Sequence, residues 1–289
     1  MSGLRKARYF LYTCLLFTKS DIKTTLILVS LLASASAPLR SVSRLPHVLF
    51  WVWLHLLQCD LSNQTMDPYE DEQNKNYRPL PAKRISLQEA LRFRWYIVPA
   101  CLVLSAMYSA ETVYASIALA GLTVLYNEFQ AHRGHWVLRN LVNVCGLASF
   151  ELGATLIAGS NATQLDSVAI WSIAASTGIF ATTIHSQDFK DVDGDRAIGR
   201  KTIPIVFGTN ARWTVIFPLV IWSLCLSLLW NLDNLTSVAF TILGAYVGVL
   251  YMHGKTVEQY QVAFYWYNLW LSIAHSLPAY YRMLVRDTI

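Results

Sequence analysis

HSQDFKDVDGDRAIGRKTIP, residues 185–204, sets four aspartates, Asp188, Asp191, Asp193 and Asp195, into eight positions of a chain whose mean hydropathy is +0.36. Each acidic residue costs about 2.5–3.5 kcal/mol at the centre of a membrane-spanning helix, so such a run marks where the chain leaves an apolar phase. The 289 residues are 54% hydrophobic and 14% charged, against roughly 25% charged in soluble domains. An ordinary soluble domain is excluded, and an integral membrane protein is indicated.

Outward from that run, apolar stretches end regularly at charges or turn residues. They predict an all-α, multi-pass protein with nine spans near 23–38, 46–59, 95–109, 112–127, 136–158, 166–184, 213–230, 236–252 and 260–278. Several fall short of the roughly 20 residues that cross a bilayer unaided. Pro38, Pro46, Pro99, Pro218 and Pro278 sit at or near the ends of spans, or kink them. Residues 1–289 form one domain, with an N-terminal segment over 1–21 and polar segments over 60–94 and 185–212. The N-terminal basic head and short apolar stretch lack a small-residue cleavage site, which favours a retained, partly amphipathic surface helix over a signal peptide.

With the N-terminus cytoplasmic, 19 of the 23 Lys and Arg residues fall on that side, leaving only Arg40, Arg44, Arg282 and Arg286 opposite. The positive-inside rule therefore puts both polar segments on the cytoplasmic face, and the endoplasmic reticulum is the expected membrane. The sequons at Asn161 and Asn234 fall in tight lumenal loops. Five cysteines stand singly, without a Cys-x-x-Cys pair, so neither a disulfide framework nor a zinc site is expected.

The first polar segment contains Asn63, Asp67 and Asp71 at i, i+4 and i+8, one face of a helix unless Pro68 ends it. In the second, Asp188, Asp191 and Asp195 follow i, i+3 and i+7, while Asp193 falls off that stripe and Gly194 loosens the last turn. Two clusters of hard oxygen ligands suit Mg²⁺, which completes its shell with water and phosphate oxygens. Lys75, Arg78, Lys190, Arg196, Arg200 and Lys201 follow the acids and supply phosphate-binding cations. Acids and bases together on one membrane face describe a Mg²⁺–diphosphate site better than a bare metal site. A cation carrier, the non-enzyme alternative, would place its ionisable residues near the midplane instead. A CDP-alcohol phosphatidyltransferase would need D-G-x-x-A-R and later acids, which are missing from this sequence.

These segments resemble the UbiA superfamily of intramembrane prenyltransferases. The family's N-x-x-x-D-x-x-x-D motif followed by R-P-L-P matches NQTMDPYED (63–71) and RPLP (78–81), and its second acidic motif matches DFKDVDGDRAIGRKTIP (188–204). The resemblance implies nine helices around a central cavity, with Mg²⁺ and an isoprenyl diphosphate, farnesyl or geranylgeranyl, held between the motifs. Carried over by position, Asn63, Asp67, Asp71, Asp188, Asp191 and Asp195 are the metal ligands. Asp67, Asp71, Asp188 and Asp191 are the catalytic acids. Of the cations above, the resemblance implies Lys75, Arg78 and Lys190 as candidate diphosphate contacts.

Two departures narrow the likeness: Asn63-Gln64 where many members carry Asn-Asp, and YNEFQAHRGHWVLRN at 126–140. His132 and His135 in that segment read as interfacial rather than ligating. The combination resembles a fungal branch that includes membrane-bound terpene cyclases, which leaves two fates for the allylic cation. Its own double bonds capture it in a cyclase, and an aromatic or other acceptor captures it in a transferase. Tyr126, Phe129, Phe150, Trp171, Phe180, Phe189 and Trp266 are the aromatics that could face such a cation. Membrane lipid is the expected surrounding partner. Neither nucleic acid nor an obligate protein partner is expected.

Overall fold

The computed structural model describes residues 3–66 and 75–285, in which the regular structure is helical apart from two isolated bridges. Helix α1 (Gly3–Thr18) comes first. Nine long helices follow among the described residues: α2 (Ile27–Ser36), α3 (Leu45–Met66), α4 (Leu87–Ala106), α5 (Ala110–Asn127), α6 (Trp136–Ala158), α7 (Ser167–Thr183), α8 (Trp213–Leu229), α9 (Asn234–His253) and α10 (Val257–Tyr280). A π-type turn, Ile22–Leu26, leads into α2, and short helices Val192–Ala197 and Ile203–Phe207 bridge α7 and α8.

Local chemistry sets the starts. Ser86 and Thr256 form capping boxes with Glu89 and Gln259, and the Asp166 and Asp233 carboxylates accept the first free amides of α7 and α9. Four stretches are long and apolar enough to cross a membrane: Trp136–Ala158, Ser167–Lys190, Ile203–Leu229 and Asn234–His253. On α8, Phe217, Ile221, Leu224 and Leu228 are all exposed at i, i+4, i+7 and i+11. An outward apolar stripe of that kind is stable against lipid and costly in water. This is a multi-pass integral membrane protein.

Two boundaries differ from the hydropathy reading. Helix α3 continues past residue 59 to Met66, and α4 begins at Leu87 because the Ser86 box caps it there. Pro99 and Pro218 lie inside helices, and Pro278 lies in the last turn of α10. All five cysteines are free, with Cys14 and Cys101 buried and Cys145 and Cys225 exposed.

Buried polar contacts tie the apolar helices together. Trp51 of α3, fully buried, donates to Ser105 Oγ of α4 at 2.8 Å, and His55 one turn on meets Ser116 of α5 at 2.7 Å. Gly153 of α6 makes room for the indole, since a Cβ there would stand 2.3 Å from Trp51. Gly146, two turns earlier, has nothing within 4 Å of the same position. Gly153→Ala should therefore cost about 1–3 kcal/mol through overpacking, while Gly146→Ala should cost nothing and gain up to about 1 kcal/mol of helix propensity. Thermal unfolding of the detergent-solubilised variants reads the difference.

Candidate functional site

A cavity of about 300 Å³ lies between α2, α3, α5, α6, α7 and α10. Along α3 its lining runs from Leu56 through Cys59 and Asp60 to Asn63, and along α7 from Phe180 through Ile184 to Gln187. One end is thus apolar, walled by Leu56, Leu119, Phe150 and Phe180. The other is polar, with Asn63, Asn127 and Gln187. Such a space accepts an amphipathic ligand with its charged end outward.

The aspartate run follows directly on Gln187, where α7 tightens into a 3₁₀ segment, Ile184–Lys190, and none of its four carboxylates lines the cavity itself. Tightening breaks the expected continuous stripe. Asp188 and Asp195 are buried, while Asp191, at the junction with Val192–Ala197, is exposed. Asp188 forms a two-pronged pair with Arg139 of α6, Nη1 to Oδ2 at 2.8 Å and Nη2 to Oδ1 at 2.9 Å. Both side chains are almost wholly buried, at 9% and 3% exposure. Asp195 pairs with Arg200 at 3.1 Å through Oδ1, and its buried Oδ2 has no hydrogen-bond partner. Burial, reinforced by the neighbouring Asp188 carboxylate, raises the Asp195 carboxyl above the usual carboxylate range, against the pull of Arg139 and Arg200.

The remaining expected residues divide. Asn63 lines the cavity, and the half-buried Lys190 pairs with Asp191 at 2.8 Å. Arg78 is buried and donates to Ser20 Oγ at 3.1 Å, and Lys75 is half-buried nearby. Arg196 is exposed and pairs with the solvated Asp193 at 3.5 Å, and Lys201 is exposed beside His135. Asp67 and Asp71 lie outside the described residues. Among those described, no three His, Cys, Asp or Glu side chains converge as a metal cluster. The donors present still suit Mg²⁺. A carboxylate offers about four lone-pair sites, of which Arg139 takes two on Asp188, and Asp195 Oδ2 is a buried oxygen without a donor.

Of the aromatics, Tyr126, Phe150 and Phe180 line the cavity, joined by Phe264 and Tyr267, which the sequence did not single out. Phe129 and Trp171 are exposed, Phe189 packs on Tyr251 and Tyr260, and Trp266 meets Tyr246. Sequence reading also passed over Arg139, Asp21 and Asp60. Asp60 was legible, since it extends the Asn63 stripe by i−3, and a lone arginine opening an apolar span signals Arg139.

Fold and cavity define a helical membrane bundle with a cavity that is apolar at one end and polar at the other. The UbiA prenyltransferase family model matches residues 24–273, and the chain belongs to that family of enzymes. It is 31% identical over 280 residues to the fumagillin beta-trans-bergamotene synthase of Aspergillus fumigatus, covering 95% of this chain and 94% of that one. It is 29% identical to a diterpene cyclase of Hericium erinaceus, covering 89% and 85%. The fold superposes on a UbiA homolog from Archaeoglobus fulgidus bound to GPP and Mg²⁺, with a TM-score of 0.67 at 14% identity, covering 92% of this chain and 99% of that one.

Arg139→Ala would strand a buried carboxylate and should cost about 3–5 kcal/mol. Arg139→Lys keeps the charge without the fork and should fall between that variant and the parent. Thermal unfolding in detergent gives the order, and equal stability of all three would remove the pair from its structural role.

Proposed function

We propose that the protein ionises an isoprenyl diphosphate, farnesyl or geranylgeranyl, with Mg²⁺, and cyclises the released chain to a terpene. The observation that carries the cyclase reading is the likeness, over most of the chain, to a protein named as a beta-trans-bergamotene synthase and to one named as a diterpene cyclase. The cavity supports it physically, because its apolar end, walled by Leu119, Phe150 and Phe180, suits a folded hydrocarbon tail.

Asn63, Asp67, Asp71, Asp188, Asp191 and Asp195 would hold the metal, with Asp67, Asp71, Asp188 and Asp191 as the catalytic acids. Bound Mg²⁺ supplies charge that makes the diphosphate a better leaving group. Lys75, Arg78, Lys190, Arg196, Arg200 and Lys201 hold the diphosphate oxygens as it departs. The faces of Tyr126, Phe150, Phe180 and Phe264 attract the cation without supplying a nucleophile. Lys190 pairs with Asp191 at 2.8 Å. The charge asymmetry of the loops favours an endoplasmic reticulum membrane with the polar end of the cavity and the N-terminus in the cytoplasm.

Membranes containing the protein, given Mg²⁺ and either diphosphate but no acceptor, should release diphosphate and yield a cyclic hydrocarbon or terpene alcohol. A chelator should stop both. Asp67→Ala and Asp191→Ala should lower turnover by at least about 10²-fold while the protein remains inserted. Product appearing only after addition of an aromatic acceptor would make the enzyme an acceptor-dependent prenyltransferase. Near-parent activity in both variants would overturn the ligand assignment.

A further inference from the structure

Below the apolar end of the cavity, three buried polar side chains from different helices meet. Ser176 Oγ of α7 donates to Glu151 Oε1 of α6 at 2.6 Å and meets His275 Nε2 of α10 at 3.1 Å. On its other side the imidazole reaches α2, where the Leu28 carbonyl, which can only accept, takes the Nδ1 proton at 3.2 Å. All three side chains belong to residues at most 1% exposed. Ionisable groups are rare inside a membrane bundle and mark function by default, yet the chemistry proposed at the polar end uses none of these.

Their place relative to the cavity is regular. The deepest lining residues on α2, α6, α7 and α10 are Leu28, Phe150, Phe180 and Leu271. Glu151 follows Phe150 in the chain, Ser176 precedes Phe180 by one turn, and His275 follows Leu271 by one turn. Leu28 bonds to His275 through its carbonyl, and the Phe180 ring meets the imidazole edge-on, with centroids 5.9 Å apart and planes at 75°. The cluster is thus the layer on which the apolar floor rests. A tail pushed past Phe180 and Leu271 would part His275 from Ser176 or from Leu28, and each buried polar group left unpaired costs its full desolvation. A purely hydrocarbon floor would yield by changing rotamers.

The depth above that floor is short. Leu56 to Asn63 on α3 and Phe264 to Leu271 on α10 each span seven residues, about 10 Å of helix. An isoprene unit adds four carbon–carbon bonds of about 1.5 Å, or about 5 Å when extended. Three units fill the depth with a fold in the chain, and a fourth has to go through the floor. We propose that the His275–Ser176–Glu151 cluster, with His275 as the stop, limits the length of the prenyl tail, so that the enzyme takes farnesyl in preference to geranylgeranyl diphosphate. The inference rests on the reading above that the cavity holds an isoprenyl tail. It gives the three residues no part in ionisation or ring closure; they act on tail length from beneath the floor.

Diphosphate release by the full-length protein tests this, with kcat/KM measured separately for farnesyl and geranylgeranyl diphosphate at saturating Mg²⁺. The parent should favour farnesyl by at least about tenfold, since even one surplus methylene in a fitted pocket is worth about that much. His275→Ala empties the space behind Phe180 and leaves Ser176 bonded to Glu151. It should narrow the preference by about tenfold, chiefly through a lower KM for geranylgeranyl diphosphate. His275→Gln, which keeps bulk and a bond to Ser176, should retain the parent ratio. His275→Asn, shorter than the imidazole, should give a smaller shift in the same direction as alanine, and it carries the test if His275→Ala is lost from the membrane.

Equal use of both diphosphates by the parent would overturn the inference, because the tail would then leave the cavity by another way. So would an equal fall for both substrates in His275→Ala, which would make the cluster only a tie between helices. If the parent releases diphosphate from neither substrate, with or without an aromatic acceptor, the functional reading fails and takes the inference with it. Release only with an acceptor fails the cyclase reading alone, and the chain-length ratios are then compared with that acceptor present.

Discussion

Removing two opposite charges from water costs several kcal/mol per ion, which an ion pair repays only when the geometry is good. Arg139 and Asp188 meet that condition with two parallel bonds, and their burial makes the arrangement hard to alter. The pair joins the first turn of α6 to the segment in which α7 changes from α to 3₁₀ geometry. That change decides which way the rest of the acidic run faces. In an unbroken α-helix, Asp188, Asp191 and Asp195 would share a face. Here Asp188 and Asp195 turn inward beside one guanidinium, and Asp191 stands at the exposed junction. The acidic run is thus held by a residue that belongs to neither motif.

The bundle supports this arrangement through contacts between apolar helices. Trp51, His55 and Trp270 each reach a serine on a neighbouring helix, so their polar atoms are satisfied without water. Tyr267 of α10 meets Thr183 at 2.9 Å just before the 3₁₀ segment, and Tyr251 of α9 donates to the Ser186 carbonyl within it at 3.2 Å. Helices α6, α9 and α10 therefore all hold this segment, α10 also through Tyr260 against Phe189. This explains how a poorer hydrogen-bonding geometry persists at that point.

Most of the architecture was legible in the sequence because membrane spans are written in composition over many residues. The nine long helices fall where the apolar runs lie, and the aspartate run does mark the exit from α7. Boundaries were less legible, because one side-chain cap decides them. Ser86 and Glu89 start α4 well before its apolar stretch begins, and polar residues carry α3 on through Asn63. Pairing of distant residues was not legible at all. Nothing local in the sequence joins Arg139 to Asp188, and stripe counting assumed a helix that the 3₁₀ turn interrupts. Among the aromatics, sequence gave no register between helices, so cavity-facing Phe180 and lipid-facing Trp171 looked alike.

Asn63, Asp60, Leu56 and the buried Trp51 on α3 trace one gradient from the charged end of the cavity into the packed core. Over these four positions the environment passes from wet amide to half-dry carboxylate to hydrocarbon to a wholly enclosed indole. A single helix face can hold such a gradient because its neighbours change along its length. The α1–α2 turn lies beside the upper part, and α5 and α6 lie beside the lower. In the proposed reaction, ionisation needs the wet end and survival of a carbocation needs the dry one. The distance between these requirements is then only a turn or two of helix. Dry walls around the tail matter as much as the ligands at the mouth, since water admitted beside Phe150 and Phe180 would quench the cation before ring closure.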